Sequence, residues 1–312
     1  MKKPLVVVIV GPTASGKTGL AVEVAKKLNA EIISADSMQI YKGMDIATAK
    51  PTIEEQGGIK HHLIDFCSPD EVFSVAKFKE MAVEAIEDIL SRGKLPIIAG
   101  GTGLYVDTVV NNTVFLDCEE NDIRRKLMKQ ASENGIETLM KELEKVDPQA
   151  AARLHINDEK RIIRALEVYY STGETITHQR ETSNLKSSDY DFCIIGLNAK
   201  NRQFLYERIN KRVDIMVENG LIEEAGKFYE NIYSTTAKQA IGYKELKPYL
   251  DGELDLEEAI ENLKMQTRRY AKRQLTWFRK NENIHWLYID EEQDSLLKRA
   301  LEIINMYGNE SL

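Results

Sequence analysis

The chain has 312 residues, 43% of them apolar and 7% aromatic, enough for a full-sized core and more than one domain of about 100–150 residues needs. One large domain with an insertion is expected. Eighteen Gly, seven Pro and 29% charged residues spread along the chain exclude a collagenous, linker-dominated or disordered protein, and a formal charge of −8 argues against a surface coated in positive charge without speaking for a local groove.

In chain order, LVVVIV, GPTASGKT and LAVEVAKKL read as a β-branched strand, a Gly-bounded loop and an amphipathic helix. The opening apolar run is far shorter than the roughly 18–20 residues of a membrane span, and it meets Gly11-Pro12 instead of a small-residue cleavage site, so neither a signal peptide nor a membrane segment is expected. Residues 31–35 (EIISA) form a second strand ending at Asp36-Ser37. After a helical pattern from Phe78 to Leu90, residues 95–99 form a third, ending at Gly100-Gly101-Thr102-Gly103. Strands alternating with helices imply a parallel sheet covered on both faces. Past about Asn112 the alternation stops. Residues 119–180 read almost wholly as helix, with apolar spacing at Leu127, Leu139, Leu143, Ile162, Ile163, Leu166 and Tyr169; residues 183–190 are loop-like, and FCIIGLN returns the chain to the sheet. The expected fold is α/β: a P-loop NTPase-like core of residues 1–112 and 190–312 with a mostly parallel sheet flanked by helices, and an all-helical insertion domain at 113–189. The remainder reads as a helix around Gln203 to Glu218 broken at Asn219-Gly220, a helix near 221–230, one opened by an Asp255/Glu258 capping box and running to about Asn281, a strand from Ile284 to Ile289, and a last helix from Glu291 to Met306. Cys67, Cys118 and Cys193 lack disulfide or zinc spacing and read as reduced, mostly buried thiols of a cytoplasmic protein.

Gly11 to Thr18 fits G-x-x-x-x-G-K-[ST] between a predicted strand and a predicted helix. Backbone N–H groups of such a loop converge on phosphate oxygens, Lys17 adds a point charge, and the Thr18 hydroxyl can hold Mg2+. The strand ends carrying 11–18, 36–39 and 100–103 should share one crevice. There Asp36 either accepts a proton or simply caps the next element, and Thr102 is either functional or a loop hydroxyl between glycines. LPIIAGGTG lacks the acid that an ordinary P-loop ATPase uses at a strand end. Asp65 in HLIDF is a structural Asp or a metal neighbour, and His61-His62 a strand-edge feature. Basic residues gather at Lys160-Arg161-Ile-Ile-Arg164 and over 262–281, where Lys264, Arg268 and Lys272 make an i, i+4, i+8 stripe. The stripe suits a nucleic-acid backbone groove or a solvated helix end about equally. Arg208 and Arg212 reach over the crevice or form a surface pair.

Taken together, GPTASGKT, SADSMQIY, HHLID, AGGTGLY, KRIIRALEVYYSTG, KQAIGYKEL and QTRRYAKRQLTWFRK resemble one family, the tRNA dimethylallyltransferases, from about residue 5 to 280. The chain departs from that pattern at Ile156, where the family more often has Pro. The resemblance implies that dimethylallyl diphosphate occupies the P-loop and that its prenyl group passes to the exocyclic amine of the adenine 3′ of the anticodon. It implies Asp36, Thr102 and Arg212 as catalytic residues, and Gly11, Thr13, Ala14, Ser15, Gly16, Lys17, Thr18 and Arg208 as the diphosphate site, with Mg2+ at Thr18. Asp36, Ser37, Met38, Gln39 and the segment Lys160, Arg161, Ile162, Ile163, Arg164 would contact the tRNA anticodon arm, with Lys264, Arg268 and Lys272 tracking phosphates. A monomer without membrane contact is expected. Transfer to free AMP, ADP or ATP, a P-loop small-molecule kinase, and a nucleotide-gated RNA-binding protein without catalysis are the competing readings.

Overall fold

β1 (Leu5–Val10) is buried along nearly its whole length, as a run of Leu, Val and Ile with no polar face requires. In this computed structural model, residues 3–113, 115, 122–185, 188–231, 233–292 and 294–309 are described. The chain runs from β1 through α1 (Lys17–Leu28), β2 (Ala30–Ser34), α2 (Ile53–Gln56), β3 (His61–His62), α3 (Val75–Ser91), β4 (Leu95–Gly100) and α4 (Gly103–Val110). Five helices follow: α5 (Asp122–Asn134), α6 (Ile136–Val146), α7 (Pro148–Arg153), α8 (Glu159–Thr172) and α9 (Ile176–Leu185). Then come β5 (Asp191–Asn198), α10 (Arg202–Glu218), α11 (Leu221–Tyr229), a 3-10 turn at Ala237–Gln239, α12 (Tyr243–Leu250), α13 (Leu256–Phe278), β6 (His285–Tyr288) and α14 (Leu296–Asn309).

The strands lie in the order β3-β2-β4-β1-β5-β6, and every described pair is parallel. Val7, Ile9, Ile32, Ile97, Cys193 and Ile195 pack with α1, α10 and α14 through residues such as Val24, Ile209 and Ile304. The alternate residues Val6, Val8, Ile33, Ile98 and Ile194 are buried as well, so both sheet faces are covered. From β1 the chain leaves towards β2 on one side, while β5 continues to β6 on the other. The direction reverses beside β1, which is where open α/β sheets bind ligands.

The chain divides into two compact units, residues 1–109 with 189–312, and residues 110–188. The second is all helix among its described residues, around Leu127, Leu139, Leu143, Ile162, Ile163 and Leu166. Its buried Asp147 caps α7 through Ala150 N–H (3.0 Å) and accepts from the Thr177 hydroxyl (2.6 Å), tying α7 to α9.

Several boundaries differ from the sequence reading. α9 continues to Leu185, so the loop expected from 183 begins later, and residues 186–187 lie outside the described residues. α14 starts at Leu296, not Glu291, and α2 and α12 are short helices that the periodicity did not show. Cys67 and Cys193 are buried free thiols, whereas Cys118 lies outside the described residues. β3 is reduced to the two histidines at the sheet edge. His62 Nε2 lies 2.7 Å from Glu31 Oε2, and the buried Glu31 also accepts from Arg92 and from Lys94 Nζ (2.8 Å). Glu31, His62 and Asp88 are the one set of three His, Cys or acidic ligands among the described residues close enough to hold a metal, but Arg92 bridges both carboxylates at 2.7 Å and supplies the positive charge itself.

Candidate active site

The P-loop leaves β1 at Gly11, where a Cβ would lie 2.5 Å from the Leu197 carbonyl oxygen of β5, so no larger residue fits. Ala14 (φ 62°) and Gly16 (φ 87°) take left-handed conformations, curling the backbone into the anion-binding concavity that such loops form at a helix start. Thr13, Ala14, Lys17 and Thr18 line a cavity of about 370 Å³. Gly16 lines an adjoining groove, and Gly11 and Ser15 line neither. The Ser15 N–H turns back onto Pro12 O (3.3 Å) and its side chain is buried.

Lys17 Nζ donates to Pro12 O at 2.7 Å. Burial, reinforced by Arg212 and partly offset by Asp36, brings its ammonium down to about 7. Both arginines of α10 reach the loop: Arg208 Nε donates to Ala14 O (2.9 Å) and Arg212 Nη1 to Thr13 Oγ1 (3.4 Å). Only Arg212 lines the cavity; Arg208 lines the groove. That settles their relation, which helix phase alone leaves open.

Asp36 follows β2 directly. Its Oδ1 accepts from Met38 N–H (2.9 Å) and Gln39 N–H (3.4 Å), while Oδ2 has no partner among the described residues, and the whole turn 36–39 lines the cavity. Capping thus commits one oxygen of the carboxylate and leaves the other uncommitted. Thr102 is not in the cavity wall. Its Oγ1 accepts from Ser37 N–H (3.0 Å) and its side chain bonds Tyr270 of the cavity wall, so it fixes the turn from just behind the lining. Asp65 is held by Lys50 Nζ (2.5 Å) and lines neither cavity nor groove, which makes it structural.

α13 contributes what the sequence reading missed. Leu263, Thr267, Tyr270 and Gln274 follow helical spacing along one face and line the cavity, with Arg273 beside them. Buried Gln274 accepts from Thr13 N–H (2.8 Å) and donates to Gly101 O (3.0 Å), joining the P-loop to the glycine turn after β4. A Cβ on Gly101 would lie 2.2 Å from its amide nitrogen. Burial, with the Asp36 charge adding to it, keeps the Tyr270 phenol protonated well above its ordinary range. The available signal was polar residues recurring on a face that helical period alone assigns to the core.

Two expectations about basic contacts are corrected. Lys264 bonds Asp214 (2.8 Å) and Glu261 (2.9 Å), and Arg268 bonds Asn210 (2.6 Å), so both tie α13 to its neighbours instead of tracking phosphates, and Lys272 alone of the stripe is exposed. Ile162 and Ile163 are 0% and 3% exposed inside the helical unit, which removes their side chains from any RNA contact; Lys160, Arg161 and Arg164 are exposed.

A P-loop at the reversal point of a parallel sheet, facing a carboxylate and a half-buried arginine across one cavity, defines an α/β protein with a P-loop core. The family model of IPP transferases matches residues 39–281, well over half of the chain. The tRNA dimethylallyltransferase of Acetivibrio thermocellus is 55% identical over 309 residues, covering 97% of this chain and 98% of its own. Among solved structures, the full-length tRNA isopentenylpyrophosphate transferase of Bacillus halodurans is 48% identical over 99% of this chain and 96% of its own, with a TM-score of 0.72. A eukaryotic dimethylallyltransferase acting on tRNA reaches a TM-score of 0.83 at 33% identity, covering 98% of this chain and 80% of its own. The chain belongs to the IPP transferase family.

Proposed function

We propose that this protein is a tRNA dimethylallyltransferase that moves the dimethylallyl group of dimethylallyl diphosphate onto the exocyclic amine of the adenosine 3′ to the tRNA anticodon. The observation that carries this reading is the three-part lining of the one cavity. Lys17 and Arg212 make a cationic end, Asp36 offers an open carboxylate oxygen, and Val213, Met216, Leu221 and Ala47 make an apolar wall. A diphosphate, an amine and a branched five-carbon chain need those three environments together.

In the reaction the adenine nitrogen attacks C1 of the allylic chain, the C1–O bond breaks, and the diphosphate leaves with the bonding pair. Lys17, Arg212 and the loop amides stabilise the charge that develops on it. Asp36 Oδ2 takes the proton from the amine. Mg2+ fits the hard oxygen donors of this end, with Thr18 to hold it, and supplies further charge neutralisation on the diphosphate when bound. The adenine reaches the cavity only after leaving its stack, at a cost of a few kcal/mol that is lower in an already loosened loop. The turn 36–39 meets the base. Exposed Lys160, Arg161 and Arg164 on the helical unit, and Lys272 on α13, serve the RNA backbone. The protein acts as a cytoplasmic monomer.

The test is incubation with dimethylallyl diphosphate, Mg2+ and unmodified tRNA carrying adenine at that position, beside a reaction with AMP as sole acceptor, read by nucleoside mass spectrometry. The expected result is a dimethylallyl mass gain on that adenosine of tRNA, with Asp36→Asn slowing turnover by about 10²–10⁴-fold. Modification of AMP alone contradicts the reading.

A further inference from the structure

The segment between Asp36 and α2 has little regular structure, yet it forms one wall of the cavity through Ala47, Thr48 and Ala49. A single carboxylate from α11 holds it. Glu224 Oε2 accepts from the N–H groups of Asp45 (2.9 Å) and Ile46 (2.8 Å), and Oε1 accepts from Ala47 N–H (2.9 Å) and from the Tyr243 hydroxyl (2.9 Å). Burial and the charge of Glu224 raise the Tyr243 phenol well above its ordinary range, so it stays a donor. Three successive amides and a phenol on one carboxylate form a fixed grip, because charge-assisted bonds of this kind are roughly twice as strong as neutral ones. The seat is also tight: a Cβ on Gly242 would come within 2.9 Å of Ala47 Cβ, which leaves the loop no room to slide towards α12.

What the grip controls lies further along the loop. The segment is braced internally by Thr48 Oγ1 to Met44 O (2.6 Å), by Lys50 N–H to Asp45 O (2.9 Å) and by Lys50 Nζ to Tyr41 O (2.8 Å). These bonds tie it into one unit. Its far end presents the carbonyls of Thr48 and Ala49 to the Gln39 amide, at 3.2 and 3.1 Å. Gln39 in turn donates its backbone N–H to Asp36 Oδ1. The bonds run without a gap from Glu224 through residues 45–49 to Gln39 and the Asp36 turn.

We infer that Glu224 is a positioning residue for the acceptor side of the site, setting Gln39 and the Asp36 turn where the adenine must dock. The inference rests on the reading that the 36–39 turn receives the tRNA base. It separates two substrates that share the cavity. The P-loop, held by Gln274 and the two arginines, keeps its own anchors although the 45–50 segment borders its outer groove, so loosening Glu224 affects the acceptor more than the diphosphate.

The test uses the full chain with Glu224→Gln, whose amide nitrogen cannot accept the bonds that one carboxylate oxygen takes, and with Tyr243→Phe, which leaves the three backbone bonds in place. Steady-state parameters for tRNA and for dimethylallyl diphosphate are measured separately, well below each variant's unfolding temperature, together with deuterium uptake of the 36–50 segment. Glu224→Gln is expected to lower kcat/KM for tRNA by about tenfold or more, to leave the KM for dimethylallyl diphosphate within about twofold, and to raise uptake across 36–50. Tyr243→Phe shifts the same parameter in the same direction by less. Equal losses on both substrates, or a lower unfolding temperature with an unchanged KM and kcat for tRNA, overturn the inference and leave Glu224 a structural residue. If the wild-type chain transfers nothing to tRNA, it is the proposed function that fails. Uptake across 36–50 that is the same in Glu224→Gln and wild type then disproves the clamp on its own, and raised uptake upholds it.

Discussion

Lys17 is a cation whose charge depends on what it holds. Burial and Arg212 bring it down to about 7, so above neutral pH the folded protein binds fewer protons at this site than the unfolded chain, whose lysines stay charged to about pH 10.4. Two consequences have opposite signs. Stability of the ligand-free protein gains from this group as pH rises from about 7 towards 10, because the unfolded state holds the extra proton. Affinity for inorganic diphosphate falls over the same window, by up to about tenfold per pH unit, because binding must recharge the amine. Calorimetry at pH 7.0 and 8.5 in buffers of different ionisation enthalpy is expected to show proton uptake on binding at the higher pH. Lys17→Arg, always charged, is expected to flatten the dependence. A pH-independent affinity in the wild type would show that Lys17 is already protonated in the empty site.

At the scale of elements, α13 does two jobs. One face carries Gln274 and Tyr270 to the cavity, and elsewhere Lys264 and Arg268 fasten it to α10. Gln274→Ala leaves the Thr13 N–H and Gly101 O without their partner, which costs about 1–3 kcal/mol for buried groups. Chemical denaturation is the measurement, and a loss under half a kcal/mol would mean that water replaces the amide without penalty. The β1–P-loop–α1 unit and the Asp255 cap of α13 were legible in the sequence because each is written in contiguous residues: a β-branched run, a glycine-bounded phosphate motif, a capping carboxylate that in the structure accepts from Glu258 N–H at 2.8 Å. The stripe at Lys264 and Arg268 misled because spacing places charges on one face without saying what that face meets. Here it meets Asp214 and Asn210 of another helix. Ile162 and Ile163 misled in the reverse sense, being apolar core residues inside a basic run. α12 was hidden by its brevity and by Pro248, and the 36–50 loop by having no period, since its anchor Glu224 lies far along the chain.

Taken whole, the molecule joins a net charge of −8 to a polyanionic partner, which places the burden of RNA binding on particular exposed residues and not on its average field. Among the described residues no helix is long and apolar enough to cross a membrane. The parallel sheet supplies the P-loop from the end of β1 and the Asp36 turn from the end of β2, the two strands that flank β4, and the helical unit exposes Lys160, Arg161 and Arg164. In the proposed function one cavity couples loss of diphosphate to alkylation of an RNA amine, with no part for ATP. The most direct measurement counts diphosphate released and dimethylallyladenosine formed, without ATP, using two tRNAs that differ only in adenine or guanine at the position 3′ of the anticodon. One dimethylallyladenosine is expected for each diphosphate released with the adenine tRNA, and neither product with the guanine tRNA. Diphosphate release that is equal with both tRNAs, or transfer that requires ATP, would contradict it.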